Sequence, residues 1–364
     1  MKERCELVKQ GYSIGKCLVY RGDEKGHACE ITLKDEGGVP YRLIQSAHLS
    51  RPEHYLSIYQ SGCNMECLKC HSWEFSQHAS GTWLSPDDIL NIAAEYAETI
   101  TCHEPRERAT SYHALDLCRG CGICVEADMV DLLTADSERN IVHLKPTGKR
   151  GERCPGRITP EQIVLSPQGI GPARNILAFT GGDLGCRPEF YARCAEKIRE
   201  RGLPLWILFE TNGYGLTPLN LNRLQEAGID SFWLDIKAFD EAVHKELTGV
   251  SNERILQLPG EMIAQDFVLE VLSLYIPGWV EEDQLRRVAE LIAGVDPDIP
   301  FTILAFFPEY RMKDAPPPTV QQMLNAYREA REAGLRQVRL ANLGVFITTE
   351  ADYALLMEEA GDAI

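Results

Sequence analysis

The chain has 364 residues, 44% apolar and 25% charged, which is the composition of a globular protein with one large domain and an insert, or two ordinary domains. Its formal charge of −17 argues against nucleic acid or an anionic membrane as partner, since both call for basic patches. The first twenty residues contain no continuous apolar run of the signal-peptide kind, and the longest apolar stretches, such as "FVLEVLSLYIPG", have strand length, so a cytoplasmic protein is expected.

In chain order, residues 1–53 read as a mixed, β-rich extension ("CEITLKD", "YRLIQSA") with no assigned function. "YLSIYQ" then predicts a strand, and "SPDDILNIAAEYAET" a helix capped by Ser85 with Pro86 at its first position. Residues 101–160 break this rhythm; they are rich in Cys, Gly and charge and read as an insert. The alternation resumes with "NILAFTGG", "PEFYARCAEKIRERG", "PLWILFETNG" and "TPLNLNRLQEAG", the two helical segments ending at Gly202 and Gly228. Four further strands, "SFWLDIKAF", "FVLEVLSLYIPG", "PFTILAFF" and "QVRLANLG", complete the series with helices between them. Strand–helix alternation with all-apolar strands implies α/β architecture and a parallel sheet buried on both faces. About seven strands suit a full or partial barrel, with functional groups at the C-terminal strand ends.

Thirteen cysteines in a reducing compartment point to metal ligation or catalysis, not to disulfides. Cys63, Cys67 and Cys70 follow C-x3-C-x2-C directly after the first of these strands. A zinc site could recruit His71 as well, but structural zinc takes two ligands from each of two separated knuckles. "CLKCH" also has the spacing of a haem attachment signal, which leaves Cys63 idle. Three thiolates on one loop suit a cubane iron–sulfur cluster that keeps one iron open for a substrate or cosubstrate. Cys118, Cys121 and Cys124 with the remote Cys154-Pro155 form a ferredoxin-type arrangement for a second, fully ligated [4Fe-4S] cluster, with Asp128 or Cys102 as an alternative ligand and a zinc knuckle as the rival. Its expected role is electron relay. Cys5, Cys17, Cys29, Cys102, Cys186 and Cys194 read as small buried apolar residues.

C-x3-C-x2-C after a first barrel strand, followed by "AFTGGD" (Ala178 to Asp183), resembles the radical S-adenosylmethionine (SAM) superfamily. "FETNG", "WLDIKAFDEAVHKELTGVSNERIL" and "YIPGW" resemble the glycyl-radical-enzyme activases, especially the pyruvate formate-lyase activating enzyme; "CHSWEFSQ" and "FFPEYRMKDAPPPT" resemble AmmeMemoRadiSam-type proteins. The resemblance covers roughly residues 55 to 315, with gaps. It departs from the pattern at Lys69, where an aromatic residue is usual, and at Asp183, usually Glu, with Leu184 and Gly185 in place of a following proline. Glu210 stands where activases often have Asp.

The resemblance implies a partial (β/α)6-type radical SAM barrel in residues 54–100 and 161–348, interrupted by a ferredoxin-like module at 101–160 and followed by an acidic segment at 349–364. It implies SAM and two [4Fe-4S] clusters as cofactors, reductive SAM cleavage, and hydrogen abstraction by a 5′-deoxyadenosyl radical. Thr180, Gly181, Gly182 and Asp183 would hold the methionine end, Asp183 accepting from its ammonium. Glu210 and Asn212 could meet the ribose or a cation, although Asn212-Gly213 also suits an ordinary turn. Asp235 and Lys237 share one strand face and are placed inward; His244 reads equally as a SAM contact or a solvated side chain. The implied partners are a glycyl radical enzyme as substrate and a reduced ferredoxin or flavodoxin as donor, the latter docking on the basic "KPTGKRGERCPGR". A small metabolite or another peptide as substrate, or a non-catalytic electron carrier, are the alternatives.

Overall fold

Near-continuous apolar strands need cover on both faces, and the alternating amphipathic helices supply it on one of them. A computed structural model describes residues 5–50, 53–128 and 141–364. Residues 129–140, within the expected insert, lie outside the described residues.

The main sheet has ten strands: β1 (Leu33–Glu36), β2 (Val39–Ser50), β3 (Tyr55–Gln60), β4 (Thr82–Leu84), β5 (Ile176–Gly181), β6 (Trp206–Thr211), β7 (Ser231–Asp235), β8 (Val268–Tyr275), β9 (Phe301–Ala305) and β10 (Val338–Ala341). Their order is β10-β9-β8-β7-β6-β5-β3-β2-β1, with β4 on β2. From β3 to β10 all neighbours are parallel, and β1, β2 and β4 add antiparallel pairings at one edge. The sequential order is that of an unrolled barrel, with seven parallel strands in place of six.

Helices α1 (Pro86–Ala97), α2 (Glu189–Glu200), α3 (Pro218–Ala227), α4 (Glu241–Thr248), α5 (Leu258–Ala264), α6 (Glu282–Val295), α7 (Val320–Glu332) and α8 (Glu350–Ala360) connect or follow the strands. Helix α1 starts as expected: Ser85 accepts from the Asp88 amide, with Pro86 at the first position. It buries Ile89, Ile92, Ala93 and Tyr96, one helical face. Gly228 ends α3 in the left-handed conformation. The N-terminal extension mixes strands with short helices. In "CEITLKD" only Leu33 onward is strand; Ala28–Ile31 is a short helix, because Glu30 reaches back to the His27 amide and starts a turn.

On the helix-facing side of the sheet, Phe179, Phe209 and Phe232 of β5–β7 join Tyr191 of α2 and Phe267, just before β8, in a row of successive ring contacts. The opposite side carries Tyr55, Ile176, Ala178 and Leu208, packed on Ala109. Residues 104–112 close this face at the strands' starting ends. Arg174 pairs with Glu104 and donates to the carbonyls of Thr110 (2.8 Å) and Arg108 (2.6 Å). Ser231 donates to Ala109 O at 2.6 Å, and Glu270 accepts from the Tyr112 amide and the Thr302 hydroxyl, both at 2.8 Å. With one end of the strands closed, the loops at the other end are left to form a site. Among the described residues no helix is long and apolar enough to cross a membrane.

Candidate functional site

The cysteine trio lies on the loop leaving β3, at the C-terminal edge of the parallel strands. Backbone bonds fix this loop from several directions. The amides of Glu66 and Leu68 donate to Thr248 O and Leu247 O at the end of α4, at 3.1 and 2.8 Å. The Asn64 amide donates to Asp183 O at 2.9 Å. From β2, the wholly buried Arg42 donates to Gly62 O (3.1 Å) and Gly182 O (3.3 Å), and its remaining nitrogens reach Thr32 and Gln60. One guanidinium therefore joins the trio loop to the glycine-rich segment.

The two glycines of that segment have a packing reason. Gly181 has φ +85°, and a Cβ on Gly182 would stand 2.3 Å from Gly62 O. Asp183 is buried and its carboxylate is engaged: Oδ1 accepts from the Gly185 amide (2.7 Å), Oδ2 from the Thr211 hydroxyl (2.7 Å) and the Asn212 amide (2.8 Å). Burial raises its carboxyl above the usual range against these three donors. Its most direct work in this geometry is to brace the ends of β5 and β6.

Asn212 makes the turn that its sequence context allows, and its amide also faces the trio loop. Its Oδ1 accepts from the Tyr214 amide in a turn at 3.0 Å, and its Nδ2 lies 2.8 Å from Asn64 Oδ1 and 3.6 Å from Cys63 Sγ. Cys63 is pushed up to about 11, first by burial and then by the Asp183 charge, and burial also raises Cys67. Such thiols lose their protons readily only when a metal cation binds the sulfur and the proton is released to solvent. Asp235 and Lys237 do meet, in an ion pair whose lysine also feels the Cys67 charge. Burial works against the Lys237 charge, but Asp235 and Cys67 hold its ammonium above the ordinary value.

His244 is buried, which removes the solvated reading. Its Nδ1 lies 2.9 Å from Val250 O and so carries the proton, leaving Nε2 as an acceptor without a partner. Asn64 Nδ2 and Asp235 Oδ1 are likewise buried and unpartnered. Three orphaned polar atoms beside three thiols fit a polar ligand and a cluster held at the trio. Thr180 and Tyr55 donate to Glu210, Tyr55 at 2.7 Å.

Burial pushes the Glu210 carboxyl from 4.5 up to about 7, against the two hydroxyls and helped by the charges of Glu270 and Asp235. Between those values the folded chain keeps a proton that the unfolded chain has lost, so this group's contribution to stability falls as pH rises. Glu210→Gln is expected to flatten the decline of the urea midpoint between pH 4.5 and 7 relative to the unsubstituted chain; parallel curves would refute it.

Lys69 is only slightly exposed at its side chain and feels the Cys70 charge. It pairs with Glu309 and lies 3.5 Å from the Phe307 ring centre, on the loop after β9. The same loop places Arg311 on Glu66 (2.9 Å) and stacks Tyr310 on Trp73. Sequence reasoning missed this clamp, and it missed Arg42, Asn64 and Tyr55. The only sequence signal was Asn64 and Glu66 inside the trio itself.

The second group is also gathered. Cys118, Cys121, Cys124 and Cys154 line one pocket with Arg119 and Arg150. The Gly120 amide donates to Cys118 Sγ at 3.2 Å. Asp128 and Cys102 do not line it; Cys102 is buried beside Glu104 and Arg174. This pocket follows the segment that closes the starting ends of the strands, away from the trio.

Residues 119–286 match the Radical SAM superfamily, a span holding Thr180–Asp183, Glu210, Asn212, Asp235, Lys237 and His244 and starting inside the second cysteine group. A Methanocaldococcus jannaschii protein, named as an inferred glycyl-radical enzyme activating enzyme, is 26% identical over 125 residues, 33% of this chain and 47% of the relative. The indoleacetate decarboxylase activating enzyme of Tractidigestivibacter scatoligenes is 32% identical over 115 residues, 30% of this chain and 33% of the relative. The chain thus spans less than half the length of these curated relatives. A solved domain of a pyruvate-formate lyase-activating enzyme from Bacteroides vulgatus superposes with TM-score 0.40 at 18% identity, over 45% of this chain and 98% of that domain.

Proposed function

Proceeding from a chain that carries a radical SAM domain, we propose that it cleaves SAM reductively at a [4Fe-4S] cluster held by Cys63, Cys67 and Cys70, and that it activates a glycyl radical enzyme. The observation that carries this reading is a three-thiol loop at the C-terminal strand edge, backed by Asn212 and the Asp183 segment. The names of the two curated relatives favour the substrate class.

When bound at the trio, a [4Fe-4S] cluster would supply the electron for reductive cleavage of SAM. The chain's own groups do the rest. His244 Nε2 accepts a hydrogen bond from a ligand hydroxyl or ammonium, as does Asp235 Oδ1. Asn64 Nδ2 donates to a ligand oxygen. Lys237 offsets negative charge beside Cys67. Thr180, Gly181 and Gly182 shape the floor, Asp183 holds it against the trio loop, and Glu210 keeps a proton near neutral pH.

In this proposal the sheet is a partial (β/α)6-type barrel with an added strand, and residues 101–160 are a ferredoxin-like insert. Cys118, Cys121, Cys124 and Cys154 hold an electron-relay [4Fe-4S] cluster, fed by a reduced ferredoxin or flavodoxin.

The test is anaerobic reconstitution followed by dithionite reduction with SAM. 5′-Deoxyadenosine is expected, and none from Cys63→Ala. No product from the reconstituted chain would overturn SAM cleavage. A glycyl-radical electron-spin signal on a candidate partner would establish the substrate class; product with no such signal on any glycyl radical enzyme points instead to a small metabolite or another peptide.

A further inference from the structure

Six cysteines stand outside both groups, and the structure divides them. Cys102 and Cys194 are buried, as small apolar residues. The other four are only partly buried and are not paired in disulfides. They come from separate places: Cys5 before the helix Glu6–Lys9, Cys17 before the strand Leu18–Arg21, Cys29 in the helix Ala28–Ile31, and Cys186 three residues beyond Asp183. Cys17, Cys29 and Cys186 nevertheless pack on one small core of Val19, Ala28, Ile31, Leu43, Ala79 and Leu184. The Ala28 amide donates to Cys17 O at 2.6 Å, and His27 Nδ1 stands 3.1 Å from Cys17 Sγ. Tyr214 ties in the N-terminal segment through the carbonyls of Ser13 (3.1 Å) and Ile14 (3.3 Å).

Every pair among the four lies within mutual electrostatic reach: Cys17 with Cys29 and Cys5, Cys29 with Cys5, and Cys186 with the other three. Four thiols converging from four segments carry an electrostatic cost as thiolates that a shared cation removes.

We propose that Cys5, Cys17, Cys29 and Cys186 hold a third [4Fe-4S] cluster, with all four irons ligated. Among the described residues no group of three or more His, Cys, Asp or Glu side chains is placed to hold a metal ion without rearranging, and this applies to all three cysteine groups alike. A cubane spreads its four thiolates wider than one zinc with its Zn–S bonds of about 2.3 Å. Arg187 lies within reach of Cys29 and favours its thiolate, and His27 can orient the sulfur of Cys17. The position is also informative. Asp183 is within electrostatic reach of both Cys63 and Cys186, so this site and the trio share one carboxylate as a neighbour. The site stands whether or not the trio binds SAM.

The test counts iron and acid-labile sulfide in the full chain, purified and reconstituted without oxygen. Cys17→Ser/Cys29→Ser should lose about four irons and four sulfides per chain, both alone and in a Cys63→Ala/Cys67→Ala/Cys70→Ala background. The unsubstituted chain should hold about twelve irons. In the reduced protein, the electron-spin signal that the trio substitutions remove should be broadened by its neighbour and sharpen in the double variant. An unsubstituted chain that saturates at about eight irons, about four lost on substituting the trio and about four on substituting Cys118 and Cys121, overturns the proposal even if the Cys17/Cys29 variant fails to fold. So does one zinc per chain that the double variant releases, or an iron content that the double variant leaves unchanged.

Discussion

Arg42→Ala is expected to lower unfolding stability by about 3–5 kcal/mol and to prevent iron from loading at the trio. The side chain is wholly buried and its donors all go to neutral oxygens: Gly62 O, Gly182 O, Thr32 and Gln60. Each acceptor left without a donor in the interior costs about 1–3 kcal/mol. Water entering the vacated space recovers part of that, and removing a desolvated cation recovers more, so the net falls below the sum. Arg42→Lys restores charge but not the fork that spans two carbonyls from different loops, and should recover less than half the loss. Urea denaturation and iron analysis check both variants. A variant with ordinary stability and full iron at the trio would show that the loop does not depend on this bolt.

What the sequence made legible follows from how local each signal is. The trio, the glycine-rich segment and the strand–helix alternation are contiguous patterns, and each lands where its period or spacing puts it. Ser85 and Gly228 mark helix ends through chemistry within a few residues. Arg42 in "YRLIQSA" carries no such mark: an arginine in a strand reads as an exposed position, and only the fold brings Gly62 and Gly182 to it. Glu270 in "VLEVLSLY" is similar. A single acid in an apolar strand becomes intelligible once Tyr112 and Thr302 arrive from distant segments. Cys5, Cys17, Cys29 and Cys186 lack any short spacing, and only the fold packs Cys17, Cys29 and Cys186 on one core. Contacts at long sequence separation leave little periodicity to read, and most of what braces this site is of that kind.

Asp183→Ala is the second large effect expected, about 3–5 kcal/mol of stability, with Asp183→Asn costing about 1–2 kcal/mol. Alanine leaves the Gly185 amide, the Asn212 amide and the Thr211 hydroxyl without their acceptor. Asparagine can turn its one carbonyl oxygen toward Thr211 and Asn212, which orphans only the Gly185 amide. Charge works the other way. Burial raises the Asp183 carboxyl, so the folded state holds a proton longer than the unfolded one and loses stability as pH rises through that window. Asparagine removes this dependence, so its deficit should be larger at acidic pH than at neutral pH. A residue whose work is to grip a ligand would behave differently: both variants would keep their stability and lose only SAM affinity. Denaturation curves at pH 4 and 7, set beside SAM binding by the reconstituted protein, separate the two. Bracing requires that stability and trio iron fall together, more in the alanine variant than in the asparagine one.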